Sequence, residues 1–252
     1  MSETVVVTGA SSGIGAATAR ALAERGYRLV LIGRTTELTS RLAKELPTAS
    51  SGDHLPIACD VTSVDSVGAT AQMIGEHIGT PFGLVNAAGI SLPQRLGELA
   101  NDNWQRTIDT NLSGTFYMSH AVSTLMTASD AEGSIVNIGS NLSFYGIPGY
   151  VAYCASKAGL LGLTKAMAAE LAPKVRVNLL CPGPVDTPML REEFSLEPDP
   201  QAAWQNAIDQ IPLGRIAEPH EIAESICWLL EAPWATGSVV SLDGGIVGVR
   251  SF

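Results

Sequence analysis

Seven short apolar runs alternate with helix-like segments along the 252-residue chain, and this alternation limits its fold more than any other feature. The apolarity of these runs is continuous rather than alternating, which predicts strands covered on both faces. The runs are TVVVTG (4–9), RLVLIG (28–33), LPIACDV (55–61), FGLVNAAG (82–89), SIVNIGS (134–140), VRVNLLCPG (175–183) and GSVVSLDGG (237–245). Helical periodicity predicts helices over 13–25, 36–46, 63–79, 101–127, 150–172 and 219–231.

Strands that alternate with helices throughout predict an α/β protein: a single-domain Rossmann-type doubly wound fold with a seven-stranded parallel sheet flanked by helices. A chain of 252 residues commonly forms one such domain, so we expect residues 1–252 to fold together. The stretch 184–218 is rich in proline and charged residues and interrupts the alternation after the sixth run. Because such folds bind ligands at the carboxyl ends of their strands, we predict that this stretch forms a substrate lid.

The charge and the termini of the chain argue against several classes of partner. A net charge of −10 and a pI near 4.8 predict a surface that repels nucleic acid and anionic lipid. Nowhere do 18 apolar residues follow one another, and MSETVVVTGA has no basic segment before its apolar run. We therefore expect a cytoplasmic protein that binds neither nucleic acid nor membrane.

The cysteines and histidines show no spacing typical of a metal site, and the sequence contains no CxxC pair. We therefore expect reduced thiols and no metal. These residues are Cys59, Cys154, Cys181, Cys227, His54, His77, His120 and His220.

The segment TGASSGIG, from Thr8 to Gly15, follows the first apolar run and opens the first predicted helix. Glycines allow a tight turn and close backbone approach, and a helix N-terminus offers free N–H groups to a pyrophosphate. The spacing is Gly-x-x-x-Gly-x-Gly, not the Gly-x-Gly-x-x-Gly of the common dinucleotide fingerprint. A glycine-rich turn is often only a turn, but its place after the first strand predicts a nucleotide site.

The segment AYCASKAG (152–159) places Tyr153 and Lys157 on one face of a predicted helix. Ionising a tyrosine near neutral pH costs about 4 kcal/mol. A fixed ammonium at about 4 Å would offset about 4 kcal/mol at an effective dielectric of about 20. Lys157 is therefore suited to tune Tyr153 as an acid or base, and the alternative is a tyrosine packed on a lysine stem.

Several motifs stand in a fixed order along the chain: Thr8-Gly9-x-x-x-Gly13-Ile14-Gly15, NAAG (86–89), Ser140, Tyr153-x-x-x-Lys157, CPGPVDTPM (181–189) and SLDGG (241–245). In this order and at these separations they resemble the short-chain dehydrogenase/reductase family over essentially the whole chain. The resemblance implies an oxidoreductase that transfers hydride between a nicotinamide cofactor and a ketone, aldehyde or secondary alcohol.

The resemblance implies a catalytic set of four residues. Tyr153 would exchange a proton with the substrate oxygen, and Lys157 would tune it and bind the nicotinamide ribose. Ser140 would hydrogen-bond the reacting oxygen, and Asn111 would hold a water that replaces protons. Taken singly, Ser140 could instead cap a turn or helix, and Asn111 could be a buried polar residue that satisfies backbone groups.

Besides Tyr153 and Lys157, which would also contact the cofactor, the cofactor contacts that the resemblance implies come from four separate segments. Val185 and Thr187 would bind the nicotinamide amide, although Thr187 could instead cap a helix that begins at Pro188. The remaining contacts are Gly9, Ser11, Ser12, Ile14 and Gly15 to the pyrophosphate and ribose, Asp60 and Val61 to the adenine, and Asn86 and Gly89 to the adjacent ribose.

The segment IGRTTE (32–37) predicts a preference for NADP(H) over NAD(H). At the end of the second strand an enzyme for NAD(H) usually has an acidic residue, and this chain has Gly33 there. Arg34 follows, and its guanidinium can bind the extra phosphate through two parallel hydrogen bonds. The alternative is an arginine stacked on the adenine, and the family's second basic signal is absent because Ser12 precedes Gly13.

Two other functions remain open at this point. A 3-oxoacyl-[acyl carrier protein] reductase would need a basic surface for its acidic carrier, and MTASDAEG (126–133) argues against one. A catalytically silent cofactor-sensing regulator would have a broken catalytic set, and here all four residues are present. The resemblance also implies a homo-oligomer, a tetramer, that pairs through the predicted helices 101–127 and 150–172. The expected lining of the substrate pocket is Ser91, Leu92, Asn141, Leu142, Tyr145, Tyr150, Met189, Leu190 and Phe194.

Overall fold

A parallel sheet of seven strands forms the centre of the protein, whose computed structural model describes residues 3–249. Neighbouring strands pair in the order β3-β2-β1-β4-β5-β6-β7, and all six pairings are parallel. This confirms the predicted fold class. The strands are β1 (Thr4–Thr8), β2 (Arg28–Gly33), β3 (Leu55–Ala58), β4 (Gly83–Asn86), β5 (Gly133–Ile138), β6 (Val175–Pro182) and β7 (Val239–Leu242).

Helices cover both faces of the sheet. On one face α1 and α9 pack against the strands through Leu22 and Ile226, which are fully buried. On the other face α3 and α5 do so through Ile74 and Met118. The helices are α1 (Gly13–Glu24), α2 (Thr36–Glu45), α3 (Val64–His77), α4 (Asn101–Ile108), α5 (Gly114–Thr127), α6 (Val151–Leu171), α7 (Pro188–Ser195), α8 (Pro200–Asp209) and α9 (Pro219–Glu231).

Several strands end earlier than the apolar runs predict. The run 55–61 leaves the sheet after Ala58, and the run 82–89 leaves it after Asn86. The strand order reverses between the neighbours β1 and β4, which is where a doubly wound sheet opens a crevice at its carboxyl edge. The apolar residues beyond the strand ends therefore form loops beside this crevice rather than further sheet.

The predicted helix 101–127 is helical throughout, but it is not an α-helix along its whole length. Between α4 and α5 the chain forms a π-helical turn, Asp109–Ser113, which contains the predicted catalytic residue Asn111. π-Helical turns are rare and occur mostly as single bulges inside α-helices, frequently at functional sites. Nothing in the apolar periodicity of the segment distinguishes this turn from the helices on either side.

The predicted lid contains the two short helices α7 and α8. The Thr187 hydroxyl caps α7 by accepting from the Leu190 N–H, and the Asp199 carboxylate caps α8 by accepting from the Ala202 N–H. A proline follows each cap at the first helical position, where its missing N–H costs nothing. Within residues 3–249 no helix is both long enough and apolar enough to cross a membrane.

Candidate active site

The glycine turn lies between β1 and α1 and approaches its neighbours too closely for any side chain. Gly9 has a φ of +63°, and a β-carbon there would lie 2.8 Å from the Ala87 carbonyl oxygen. A β-carbon on Gly15 would lie 2.2 Å from the carbonyl oxygen of Gly9. Only glycine fits at these two positions, because backbone atoms rather than flexible side chains occupy the space.

The N-terminus of α1 opens into a cleft of about 440 Å³, the cofactor cleft, which is lined by Ser11, Ser12, Arg34, Asp60 and Gly89 among others. Ser12 is the N-cap residue of α1, but its side chain makes no capping hydrogen bond, and the first turn has no acidic residue. The backbone N–H groups in the first turn of α1 are thus available to bind an anion. This arrangement fits the pyrophosphate of a dinucleotide.

Most of the predicted cofactor residues line this cleft: Gly9, Ser11, Ser12, Ile14, Gly15, Arg34, Asp60, Val61, Gly89 and Thr187. Asp60 is held in place because its carboxylate accepts from the Thr62 N–H at 3.0 Å and from the Thr62 hydroxyl at 2.7 Å. Arg34 is exposed, and in the described part of the chain its guanidinium has no hydrogen bond or ion pair. A free guanidinium at the cleft rim is available to an anionic group.

Four predicted cofactor residues lie outside this cleft: Asn86, Tyr153, Lys157 and Val185. The Asn86 side chain is buried under the crevice, where its amide donates to the Ser119 hydroxyl at 2.8 Å and to Asn137 Oδ1 at 2.9 Å. It therefore ties β4 to α5 and β5 instead of facing the cleft. Val185 lines the neighbouring substrate cavity, and Thr187 lines both spaces while its hydroxyl also makes the helix cap.

Tyr153 and Lys157 lie one turn apart on α6, and the Lys157 ammonium is 5.6 Å from the centroid of the tyrosine ring. The ammonium donates to the Ile138 carbonyl oxygen at 2.8 Å. Burial lowers the pKa of Lys157 to about 8. Burial likewise raises the pKa of Tyr153 to about 12, although a hydrogen bond with Ser140 acts in the opposite direction.

Burial of the phenol therefore outweighs the lowering of the Tyr153 pKa that the sequence predicts for a nearby Lys157 ammonium. That expectation assumed contact between the ammonium and the phenol, whereas the ammonium binds a backbone carbonyl. The loss of hydration around the buried phenol dominates instead, and it favours the protonated form. Tyr153 consequently keeps its proton at neutral pH.

Ser140 caps a short helix and Asn111 satisfies backbone groups, which are the alternative roles that the sequence left open for them. The Ser140 hydroxyl accepts from the Leu142 N–H at 3.1 Å and caps the short 3₁₀ helix Asn141–Ser143. The fully buried Asn111 side chain accepts from the Ile90 N–H at 2.8 Å and donates to the Ile90 carbonyl at 2.9 Å. Of these two residues only Ser140 also lines the substrate cavity.

The substrate cavity has a volume of about 320 Å³ and extends from Ser140, Tyr153 and Lys157 to the helices α7 and α8. Of the nine predicted lining residues, eight face it, and Leu92 does not. Sequence reasoning missed Glu193, although it lies three residues after Leu190 in the lid helix and so shares its face. It also missed Ile147, Ala203, Asn206, Ala207, Gln210 and Ile246.

The substrate cavity and the cofactor cleft adjoin each other. Both are lined by Ile14, Ala87, Gly89, Thr187 and Met189, so these residues mark their common border. A β-carbon on Gly89 would lie 3.4 Å from Asn111 Oδ1 and 3.7 Å from the Lys157 ammonium, so Gly89 approaches both of these residues closely. A cleft for a dinucleotide that opens into a cavity with a protonated tyrosine is the site of a nicotinamide-dependent oxidoreductase.

Comparisons with known proteins give the same assignment. A family model described as enoyl-(acyl carrier protein) reductase matches residues 9–247. Carbonyl reductase family member 4 of Danio rerio is 38% identical over 247 residues, and 3-oxoacyl-[acyl-carrier-protein] reductase of Mus musculus is 36% identical over 247 residues. Both alignments cover 98% of each chain. The structure of an actinorhodin polyketide ketoreductase variant with NADPH matches with a TM-score of 0.90 and 34% identity, covering 98% of each chain.

The chain therefore belongs to the short-chain dehydrogenase/reductase family. Its oxidoreductase chemistry interconverts a carbonyl compound and an alcohol by hydride transfer, as the resemblance in the sequence implied.

Proposed function

We propose that this protein uses NADP(H) to interconvert a small, mostly apolar ketone and the corresponding secondary alcohol. The observation that carries this proposal is the position of Ser140, Tyr153 and Lys157 in the wall of an apolar cavity that adjoins the glycine-lined cleft. Hydride transfer requires the two reacting carbons to meet, and adjoining spaces allow this. Leu142, Met189 and other apolar side chains around the cavity suit an uncharged substrate.

A bound nicotinamide would supply or accept the hydride, and the protein side chains would control the proton. In the direction of reduction Tyr153 donates its phenolic proton to the substrate oxygen, which the raised pKa favours at neutral pH. The Ser140 hydroxyl, which now donates to Asn141 Oδ1 at 3.1 Å, turns to hydrogen-bond the same oxygen. Lys157 binds the ribose and stabilises the negative charge left on Tyr153, while Asn111 holds a water that returns the proton.

The preference for NADP(H) rests on Arg34 and Gly33. Arg34 lines the cofactor cleft without a partner in the described residues, and Gly33 beside it brings no carboxylate that would repel a phosphate. The side chain is thus free for the phosphate of NADP(H). The related ketoreductase was solved with NADPH, which is consistent with this proposal for the present chain.

Reduction of 3-oxoacyl groups on acyl carrier protein is the second candidate, because several relatives carry that name. The charge of the lid argues against docking of an acidic carrier, since its exposed residues include Glu192, Glu197 and Asp199. In addition, Lys174 lies 3.7 Å from Asp130, so one of the few basic groups near 126–133 already has an acidic neighbour. We therefore favour a free small molecule as the substrate.

We also propose a cytoplasmic homotetramer. The helices predicted to pair carry large apolar side chains on their surfaces: Trp104 on α4, Phe116 on α5 and Val151 on α6 are 37%, 44% and 38% exposed. Apolar groups exposed together on adjacent helices are typical of an interface between subunits.

A spectrophotometric screen tests the proposed reaction. Purified protein with NADPH or NADH would be mixed with uncharged ketones and aldehydes, with a free 3-oxoacyl thioester, and with the same acyl group on acyl carrier protein. The proposal predicts cofactor oxidation with ketones, fastest with NADPH, and no gain from the carrier. A rate found only with the carrier-bound acyl group would support the second candidate, and cofactor binding without any turnover would support a regulator.

A further inference from the structure

The lid helix α7 directs the carboxylate of Glu193 into the substrate cavity. Its two oxygens accept hydrogen bonds from opposite sides: Oε1 from the Tyr150 hydroxyl, and Oε2 from the Ser91 hydroxyl at 2.8 Å. Tyr150 precedes α6 and Ser91 lies in the loop that follows β4, so both donors belong to the body of the protein rather than to the lid. The carboxylate is therefore fixed in the cavity wall.

Among residues 3–249 no cation forms an ion pair with the Glu193 carboxylate. Of the residues in the described range 3–249 that line the cavity, Glu193 is the only carboxylate and Lys157 the only cation. The Lys157 ammonium donates to the Ile138 carbonyl oxygen, while both partners of Glu193 are neutral hydroxyl groups. The two hydrogen bonds replace part of the hydration that the carboxylate loses in the cavity, but they do not neutralise its charge.

The charge lies close enough to the reacting centre to act on it. The ring of Tyr150 packs edge-on against that of Tyr153, with 6.3 Å between their centroids. Burial is the main reason that the pKa of Tyr153 rises, and the charge of Glu193 adds to the rise. A substrate whose carbonyl contacts Tyr153 places its remaining atoms in the same cavity, where like charges repel more strongly than in water.

We propose that Glu193 is a specificity-determining residue that selects uncharged ketones against ketones that carry a carboxylate. The inference deepens the proposed function and rests on it, because it assumes that the cavity beside Tyr153 binds the ketone. The negative charge of Glu193 accounts for the discrimination, whereas its hydrogen bonds with Tyr150 and Ser91 hold α7 in place.

The test uses para-acetylbenzamide and para-acetylbenzoate, which share one ketone and differ in charge at the opposite end of a rigid ring. We would measure kcat/KM for both compounds with the wild-type protein and with Glu193→Gln, which removes the charge but keeps hydrogen-bonding groups for Tyr150 and Ser91. Glu192→Gln is the matched control, because Glu192 is the exposed neighbour in the same helix and does not line the cavity. Equilibrium binding of both compounds would be measured by calorimetry in parallel.

The expected result is that Glu193→Gln lowers the preference for the amide over the acid by at least about tenfold, or about 1.4 kcal/mol, and that Glu192→Gln leaves it unchanged. A loss of lid packing alone would slow both compounds equally, so an unchanged ratio would overturn the inference. A shift in binding preference without turnover by any variant would support the inference and contradict the proposed reaction. Turnover with an unchanged ratio of the two kcat/KM values would contradict the inference and support the proposed reaction. Absence of both binding and turnover would overturn the inference and the proposed reaction.

Discussion

The Lys157 ammonium lies 5.6 Å from the centroid of the Tyr153 ring and donates its hydrogen bond to the Ile138 carbonyl oxygen, not to the phenol. The two residues therefore share a helix face without direct contact between their polar atoms. Tyr153 keeps its proton because its burial raises its pKa to about 12, and Lys157 loses its proton more easily because burial lowers its pKa to about 8. We propose that Tyr153 donates this proton to the substrate and that the Lys157 ammonium then stabilises the resulting anion.

The rate of ketone reduction should fall as the pH rises through about 8. Tyr153 remains protonated over this range, but Lys157 changes from a cation, present below its pKa, to a neutral amine above it. The neutral amine cannot stabilise a developing phenolate. The measurement is the pH dependence of kcat/KM for the best ketone of the screen, in wild type and in Lys157→Met.

In Lys157→Met the step near pH 8 should disappear, and both turnover and cofactor affinity should be reduced, because the lysine is also proposed to bind ribose. A wild-type profile that stays flat up to pH about 10 would show that the charge of Lys157 does not assist the reaction.

Replacement of Arg34 by alanine should weaken the use of NADPH more than the use of NADH. Loss of a charge-assisted contact with a phosphate predicts a fall of about tenfold or more in kcat/KM for NADPH and little change for NADH. Arg41→Ala is the control, since Arg41 is exposed on α2 and pairs with Glu45. An equal loss with both cofactors would instead indicate that Arg34 stacks on the adenine.

Arg34 is a better position for this test than Gly33. A β-carbon on Gly33 would lie 3.1 Å from Thr39 Cγ2 and 3.2 Å from the Thr35 carbonyl oxygen. An acidic residue there would disturb the start of α2 as well as the charge, so its effect on cofactor choice would be harder to interpret.

Two glycine-to-alanine changes should have opposite effects on stability. Gly15→Ala places a methyl group against the Gly9 carbonyl oxygen and should destabilise the fold by about 1 to 3 kcal/mol while abolishing cofactor binding. Gly68→Ala lies on the exposed face of α3 with nothing within 4 Å of the added carbon, and should stabilise by about 0.5 to 1 kcal/mol. Urea unfolding measures both. Equal changes in the free energy of unfolding for the two variants would mean that the glycine turn tolerates a side chain.

If the protein is the proposed tetramer, its sedimentation coefficient at micromolar concentration should correspond to four copies of the 26.3 kDa chain. Phe116→Glu should dissociate it, because a charge would replace an exposed apolar side chain within the proposed interface. Leu38→Glu is the control, since Leu38 is 52% exposed on α2, outside that face. A wild-type monomer, or an assembly that Phe116→Glu leaves intact, would contradict the proposed interface.

The sequence predicts those parts of the fold and site that depend on neighbours along the chain. Continuous apolar runs predict the strands, and the positions of Tyr153 and Lys157 on one helix face follow from their spacing alone. The π-helical turn around Asn111 has no such local signal. Its conformation fits a contact with Ile90, which is 21 residues away in the chain.

Features of the site that arise from distant contacts were missed for the same reason. Asn86 turns under the crevice because Ser119 and Asn137 offer it partners there. Glu193 gains its place in the cavity from Tyr150, which is 43 residues earlier in the chain. The pKa of Tyr153 depends on how deeply the ring is buried, which neither spacing nor composition reveals.

The most direct test of the central claim, that Tyr153 is the proton donor beside a bound nicotinamide cofactor, is the turnover of Tyr153→Phe with the best ketone of the screen. The variant removes one hydroxyl and leaves the glycine turn and the cofactor cleft unaltered. We predict a loss of at least about a hundredfold in kcat, with cofactor affinity by fluorescence titration within about twofold of wild type. A variant that retains more than about a tenth of the wild-type kcat would contradict the account.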